Sequence, residues 1–488
     1  VTNPFRRTIV GPPGTGKTTK IISLVQEYVS SGTDPKRIGL VTFTKVAAKV
    51  LAKRAGIGSE FVGTIHSIAF KQAGINRSQV ADYEFYRDLS KKTGIEITNR
   101  NVEDNDQIEL GDELLAIYQY SKAILAEDAK MVYMESHRPG SYSVFKYFID
   151  SLESFKKGYG VIDFNDMLEM AVGAGVPDLD ILFVDEAQDL SPLQWKLINY
   201  WATEIRTVIV SGDDDQAIFS WGGADPQGIS KWKELHQAEQ EILGQSYRVP
   251  AKVHKAAESV IRRVKVRIDK EYKPRPEEGT VRMFGDIGQL EIEHGEKCSI
   301  LYRNHSLRGD IEDHLIALAV PYRVLNGKPG VNESPMAQAI KNWVTAFDDF
   351  KMFGNFRLTD PEINKMKRFM HPGAFRALKN GDFDIYDHWG KAFTGSTRIL
   401  NYLSRIEAKY GSIRGIPTIQ LSTIHGFKGD EDDRIILLDG MGQKTSENFH
   451  KDPDSEYRVF YVGVTRAKHQ LDIVTVDNPV LVGVFDGI

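Results

Sequence analysis

Two α/β lobes, each built on a parallel sheet and each interrupted once by a mainly helical insertion, are the fold class that this sequence predicts. Three observations carry the prediction. A short apolar piece, Ile9 and Val10, runs into the glycine-rich GPPGTGKTT and then into an amphipathic stretch with Ile21, Ile22, Leu24, Val25 and Tyr28, which reads as strand, loop and helix. Apolar runs at Ile38 to Thr42, Ile181 to Val184 and Thr207 to Val210 alternate with helical segments and lead into polar or acidic clusters, the pattern of strands buried on both faces. The alternation starts again near Glu241 and continues through Cys298 to Asn304, Pro321 to Gly327 and Thr418 onward.

Taken in order, residues 1–71 and 161–242 make the first lobe. Residues 72–160 interrupt it with helical, aromatic-rich sequence such as YEFYRDL and YSVFKYFIDSLESF. Residues 243–327 and 417–488 make the second lobe, and the polar, helical stretch 328–416 interrupts that. The stretch carries Lys351, Lys365, Lys367, Arg368, Arg376 and Lys379 with aromatics Phe369 and Trp389, and reads as a separable, charged insertion without a catalytic constellation. No short repeat or low-complexity tract is visible.

The 488 residues carry 62 Lys plus Arg against 67 Asp plus Glu, a net charge of −5, so any nucleic-acid site must be a local groove rather than a global basic field. With 26% charged and 10% aromatic residues, wholesale disorder and fibrous repeats are excluded. The single Cys298 forms neither an internal disulfide nor a cysteine metal cluster, which points to a reducing, cytoplasmic location. No apolar run approaches the roughly 18 to 20 residues that span a bilayer, and the start has no secretory leader pattern.

Gly11 to Thr18 matches G-x-x-x-x-G-K-[ST] between a strand and a helix. Gly14, Thr15, Gly16, Lys17, Thr18 and Thr19 are therefore the expected phosphate cradle, with backbone N–H groups and Lys17 on the phosphates and the Thr18 hydroxyl on Mg²⁺. ILFVDEAQDLS delivers Asp185 and Glu186 at the end of a buried strand, Asp185 for Mg²⁺ and Glu186 as base for an attacking water. VSGDDDQAIFSWGGA repeats the pattern, with Gln216 placed to reach a γ-phosphate or its water. Phe219 and Trp221 beside it are either base-stacking aromatics or core.

These segments resemble the superfamily 1 DNA helicases of the UvrD, Rep and PcrA type, and the chain is identified as a compact member. VTFTKVAAKVLAKR resembles the family's TFTNKAA segment, GTIHSIAF its GT-x-HS, DFNDML its DF-x-DLL, LGQSYRVP its NYR motif and ILYRNHSL its LYR-x-N. LSTIHGFKGDEDD looks like TxHxAKGLEF, and EYRVFYVGVTRAKHQL like the closing YVAxTRA. The resemblance implies two RecA-like lobes with ATP and Mg²⁺ held between them. Carried over, Tyr247 stacks on adenine, Glu431 binds the ribose, and Arg248 and Arg466 reach the γ-phosphate from the second lobe. Thr42, Phe43, His66, Ser67, Phe219, Trp221, Thr423 and His425 line a single-stranded DNA track.

The implied activity is an ATP-dependent DNA translocase and helicase, moving 3′ to 5′ as a monomer on single strands and single-strand/duplex junctions, with the insertion 328–416 touching duplex or regulating the motor. Rival readings are a protein-displacing translocase with little unwinding, a non-catalytic DNA-binding scaffold and a P-loop small-molecule kinase. The sequence departs from the family pattern at Ser246 for Asn, at Gly222 for the Arg of WRGA and at Lys45 and Val46 for Asn-Lys. No glutamine stands among the ten residues before Gly11, where the family's adenine-reading motif would fall.

Overall fold

The computed structural model describes residues 4–42, 45–58, 60–98, 108–137, 139–293, 295–381 and 386–485. Its first sheet is made of β1 (Phe5–Val10), β2 (Ile38–Val41), β3 (Val62–Gly63), β4 (Ile181–Val184), β5 (Thr207–Gly212) and β6 (Glu239–Ile242), in the order β3-β2-β4-β5-β1-β6. Neighbours pair parallel throughout, with Val41 opposite Val184, Val184 opposite Val210 and Val10 opposite Gly212. Every residue of β2, β4 and β5 is buried, because helices cover both faces of the sheet. Two cores result. Ile9, Ile21, Val25, Leu40 and Phe183 pack on one face, and Val10, Leu182, Val184, Leu193, Trp201 and Val208 on the other. The short β3 and the largely polar, half-exposed β6 lack the apolar run that reveals the other strands.

A two-stranded parallel ladder joins β7 (Gln245–Pro250) and β8 (Lys273–Arg275). The second sheet comprises β9 (Thr280–Phe284), β10 (Cys298–Tyr302), β11 (Tyr322–Val324), β12 (Ile419–Thr423), β13 (Asp432–Asp439) and β14 (Ala467–Thr475), ordered β11-β12-β10-β13-β14-β9. Strands β11, β12, β10 and β13 run parallel. The molecule is thus two RecA-like parallel-sheet lobes with helical insertions, a P-loop NTPase fold. By contacts the chain forms two compact units, Val1–Thr280 with Gly442–His469 and Val480–Ile488, and Val281–Met441 with Gln470–Pro479. Cys298 opens β10 and is buried, which pushes its thiol up.

The two insertions are built differently. Helices Tyr83–Thr93, Leu110–Ala123 and Tyr142–Tyr159 close around a core of their own, with Phe85, Leu89, Leu114, Tyr133, Phe145, Phe148 and Leu152. In the second, Pro335–Phe353 and Thr397–Tyr410 share one core with β10, β11 and β12: Ile340, Trp343 and Tyr402 belong to the same cluster as Ile300, Tyr322 and Leu421. The Tyr402 hydroxyl donates to the Val320 carbonyl at 2.8 Å, and Trp389 is buried. This stretch is therefore not separable: its apolar face completes the second sheet's core. Among the described residues, no helix is long and apolar enough to cross a membrane.

Trp343 stacks on Phe347 at 5.0 Å between centroids in the middle of that shared core. Trp343→Ala is expected to destabilise the second unit by about 3 to 5 kcal/mol, read as a lower denaturant midpoint. An unchanged midpoint would contradict the shared core.

Candidate functional site

The parallel register brings the carboxyl ends of β1, β2, β4 and β5 to one edge, so Gly11, Thr42, Asp185 and Asp213 follow their strands on the same side of the first sheet. After β1 the chain turns through Gly14 (φ 75°) and Gly16 (φ 82°) into the helix Lys17–Ser30. Both glycines sit in the left-handed region, which aims successive backbone N–H groups into the loop's concavity at a helix N-terminus. Gly14 is also fixed by crowding, since a Cβ there would stand 2.5 Å from the Arg248 Cβ and 2.9 Å from the Ser246 Oγ. The space a Cβ would take at Gly16 is open.

The loop's own polar groups are tied together. Thr15 Oγ1 donates to the Pro12 carbonyl at 2.8 Å, and the buried Lys17 ammonium donates to the Gly11 carbonyl at 2.6 Å. Thr18 Oγ1 lies 3.4 Å from Asp185 Oδ2, so a hydroxyl and a carboxylate stand side by side as hard oxygen donors of the kind Mg²⁺ takes. Burial, reinforced by the neighbouring Glu186 carboxylate and opposed by Lys17, pushes Asp185 up to about 7. Glu186 adopts a positive φ of 56° and receives a hydrogen bond from Gln188 Nε2 at 2.5 Å. Gln188 in turn accepts from the Asp213 N–H at 3.0 Å, linking the ends of β4 and β5.

Gln216 donates through Nε2 to Asp213 Oδ2 at 2.7 Å and accepts through Oε1 from the Arg466 guanidinium at 2.9 Å. Arg466 is buried, follows the helix Pro453–Val464, and lies in the same compact unit as the phosphate loop. Tyr247 and Arg248 come from β7 in this unit. The Tyr247 N–H donates to the Gly14 carbonyl at 2.8 Å while its ring is 74% exposed. Ser246, standing for the family's Asn, donates from Oγ to the Pro13 carbonyl at 3.0 Å, so the substituted residue still ties β7 to the loop.

Among the expected DNA contacts in the first unit, Thr42 is buried at the end of β2, and Ser67 lies in the first turn of the helix Ile65–Gln72, which Thr64 caps. His66 stands half-buried with its imidazole pushed down to about 4 by desolvation, hence neutral at pH 7. Phe164 packs edge-on against it at 5.5 Å and is 59% exposed. Trp221 is 41% exposed and sits edge-on to the half-buried Phe219 at 6.2 Å, which answers the choice between core and surface for the tryptophan. Thr423 and His425, both buried, and the exposed Glu431 stand in the second unit around the end of β12 and the start of β13. Phe43 lies outside the described residues.

Two charged clusters escape a reading of motifs. Lys270 Nζ, fully buried, lies 3.0 Å from Asp213 Oδ1 and 2.9 Å from Asp215 Oδ2 and also bonds Asp214, while Arg267 grips Asp215 with two hydrogen bonds at 2.8 and 2.5 Å. Burial works to lower the Lys270 pKa, but the three carboxylates outweigh it and hold the ammonium charged. Arg458 completes the wrap, donating to the Asp214 carbonyl at 3.0 Å. Three consecutive acids ending a buried strand need cations, and the basic run RRVKVRIDK was the signal that could have supplied them. In the second cluster, the buried Lys156 meets Glu153 at 2.5 Å, Asp166 at 2.7 Å and Asp163 at 2.8 Å. Asp163 caps the helix Phe164–Gly173, so this ammonium also fixes the helix that presents Phe164.

A phosphate loop on a RecA-like parallel sheet, with acids at the ends of the adjoining strands, defines a P-loop NTPase. The model of the UvrD/REP helicase N-terminal domain matches residues 5–237, and that of the UvrD-like helicase C-terminal domain matches 389–478. DNA helicase II of Haemophilus influenzae is 25% identical over 65% of this chain and 49% of its own length. ATP-dependent DNA helicase PcrA of Leuconostoc citreum is 26% identical over 65% of this chain and 48% of its own. ATP-dependent DNA helicase UvrD2 of Mycobacterium tuberculosis is 24% identical, covering 95% of this chain and 75% of that protein. The chain belongs to the UvrD-like superfamily 1 helicase family. It spans about half the length of the DNA helicase II proteins it matches.

Lys156→Met is expected to destabilise the first unit by about 3 kcal/mol, because it leaves the buried Asp163 without its cation and Asp166 with Lys122 alone, and these two acids cap and brace one helix. Chemical denaturation checks it, and a loss below about 1 kcal/mol would show the cluster to be solvated.

Proposed function

We propose that the chain is a DNA-dependent ATPase that translocates on single-stranded DNA, 3′ to 5′, and unwinds duplex in replication, repair or recombination, acting as a monomer inside the cell. The observation that carries this reading is the single segment 213–221, which holds Gln216 in the hydrogen-bonded chain with Asp213 and Arg466 and ends in the exposed Trp221. Phosphate-reading and base-stacking groups on one short segment can be moved together.

The loop's N–H groups and Lys17 bind the phosphates, and Tyr247 offers its exposed ring to the adenine. Thr18 and Asp185 fit Mg²⁺, which would neutralise phosphate charge when bound. Glu186, oriented by Gln188, takes the proton of the attacking water. Gln216 orients that water, and Arg248 and Arg466 meet the charge that builds on the γ-phosphate. Trp221, Phe219 and Phe164, with the neutral His66, offer faces and edges on which bases stack without sequence preference. In the first unit, Thr42 and Ser67 add backbone or base contacts along the strand.

The test is the ATPase rate with and without single-stranded DNA, beside unwinding of 3′-tailed and 5′-tailed duplexes. Stimulated turnover with unwinding of the 3′-tailed duplex is expected. Stimulation without unwinding, but with displacement of a protein bound to the strand, would instead identify a stripping motor. Lys17→Ala should weaken nucleotide binding, Glu186→Gln should bind yet not turn over, and Arg466→Ala should bind within a modest factor while losing about a thousandfold in hydrolysis. Normal turnover in any of the three refutes the corresponding role.

Trp221→Ala is expected to weaken single-strand binding by about 1 to 3 kcal/mol with an unchanged melting temperature, measured by fluorescence anisotropy and thermal unfolding. A lower melting temperature with unaltered affinity would make it a packing residue.

A further inference from the structure

Behind the groups that face the nucleotide, we propose that Lys270 is a positioning residue for hydrolysis: through Asp213 it holds the Gln216 amide in the orientation that meets Arg466. The proposal rests on the ATPase reading above and deepens it.

The geometry is a chain of four groups. Lys270 Nζ contacts Asp213 Oδ1 at 3.0 Å; the other oxygen of that carboxylate, Oδ2, accepts from Gln216 Nε2 at 2.7 Å; and Gln216 Oε1 accepts from Arg466 at 2.9 Å. A carboxylate can only accept and a guanidinium can only donate, so between them the amide has one satisfactory orientation. A protonated or displaced Asp213 removes that constraint, and a flipped amide would set its NH₂ group against the Arg466 donors.

Burial works to protonate Asp213, and Lys270, in direct contact with its carboxylate and aided by Lys17, holds it ionised and in place. The acids Asp213, Asp214 and Asp215 converge until their ligand atoms lie within 4.8 Å of one another, a separation that suits a metal ion, and the ammonium fills that position. Its three donors are spent on the three acids, one each. The neighbouring groups cover the others: Arg267 takes both oxygens of Asp215, and the Ile268 N–H binds Asp214 Oδ2 at 2.7 Å. Asp213 also has a second arm, because its N–H binds Gln188, which holds Glu186. That bond is made by the Asp213 backbone and not by its carboxylate, so Lys270 acts on the phosphate-reading amide and the Glu186 arm is left in place.

The test is a double-mutant cycle on the full chain, reading kcat and KM for ATP with saturating single-stranded DNA, and folding by thermal unfolding. Lys270→Met is expected to cut kcat about tenfold or more while KM stays within about threefold. In a Gln216→Ala background the same change should move kcat by less than about twofold, and Lys270→Arg should recover most of the loss. An unchanged kcat, or an equal loss in both backgrounds, overturns the proposal and makes Lys270 a structural residue only. Should Lys270→Met lack a cooperative transition, Asp213→Asn is carried through the same cycle, where additive losses overturn it equally. A wild-type chain without DNA-stimulated turnover sinks the ATPase reading and this proposal with it, whereas an active chain with an additive cycle sinks this one alone.

Discussion

Parallel pairing of β1, β2, β4 and β5 is the constraint from which the site follows. In a parallel sheet every strand finishes at the same edge, so groups far apart in the chain arrive together with no further instruction: the phosphate loop after Val10, Thr42, the acids after Val184 and those after Gly212. An antiparallel partner would send its chain end to the opposite edge. The same geometry concentrates unpaired polar groups and carboxylates in one buried place, which is unfavourable unless cations and donors are delivered to it. Lys17, Lys270, Arg267 and Arg458 meet that requirement from segments outside the strands.

How the cations are delivered explains the architecture around the loop. The chain leaving β6 runs through Tyr247 against Gly14 and returns at Lys270 against the acid triplet, so one excursion closes over both the loop and the end of β5. Gly14 cannot carry a side chain because β7 lies directly against it. Loop and β7 are consequently one packed object, and a shift of either is felt at Ser246, Tyr247 and Tyr272, which all bond the loop's carbonyls.

Much of this was legible in the residues. Buried strands announce themselves as apolar runs, and β1, β2, β4, β5, β10, β11 and β12 fall where such runs predict them. The phosphate loop is readable because its glycines are demanded by backbone conformation, with crowding against β7 added at Gly14. What escaped was set by tertiary neighbours. The strand β6 has a polar sequence and pairs because β1 offers a free edge, and Lys270 looks like any basic residue until the sheet brings three acids to it. The second insertion looked polar because its apolar residues, Ile340, Trp343, Tyr402 and Ile406, are spread at helical spacing, and only packing against the sheet shows them to be core. Trp221, whose residue type favours an interior place, is exposed because it lies in a short turn after the sheet edge.

The lone cysteine has a practical consequence. Cys298 is sealed inside β10 and burial keeps it as a thiol rather than the reactive thiolate, so maleimide reagents should pass over the native chain. A cysteine introduced at an exposed position then becomes the sole attachment point for a dye, with no need to strip out background thiols first. Pairs of such positions within one unit would report distances by energy transfer on single molecules, one copy of the chain at a time.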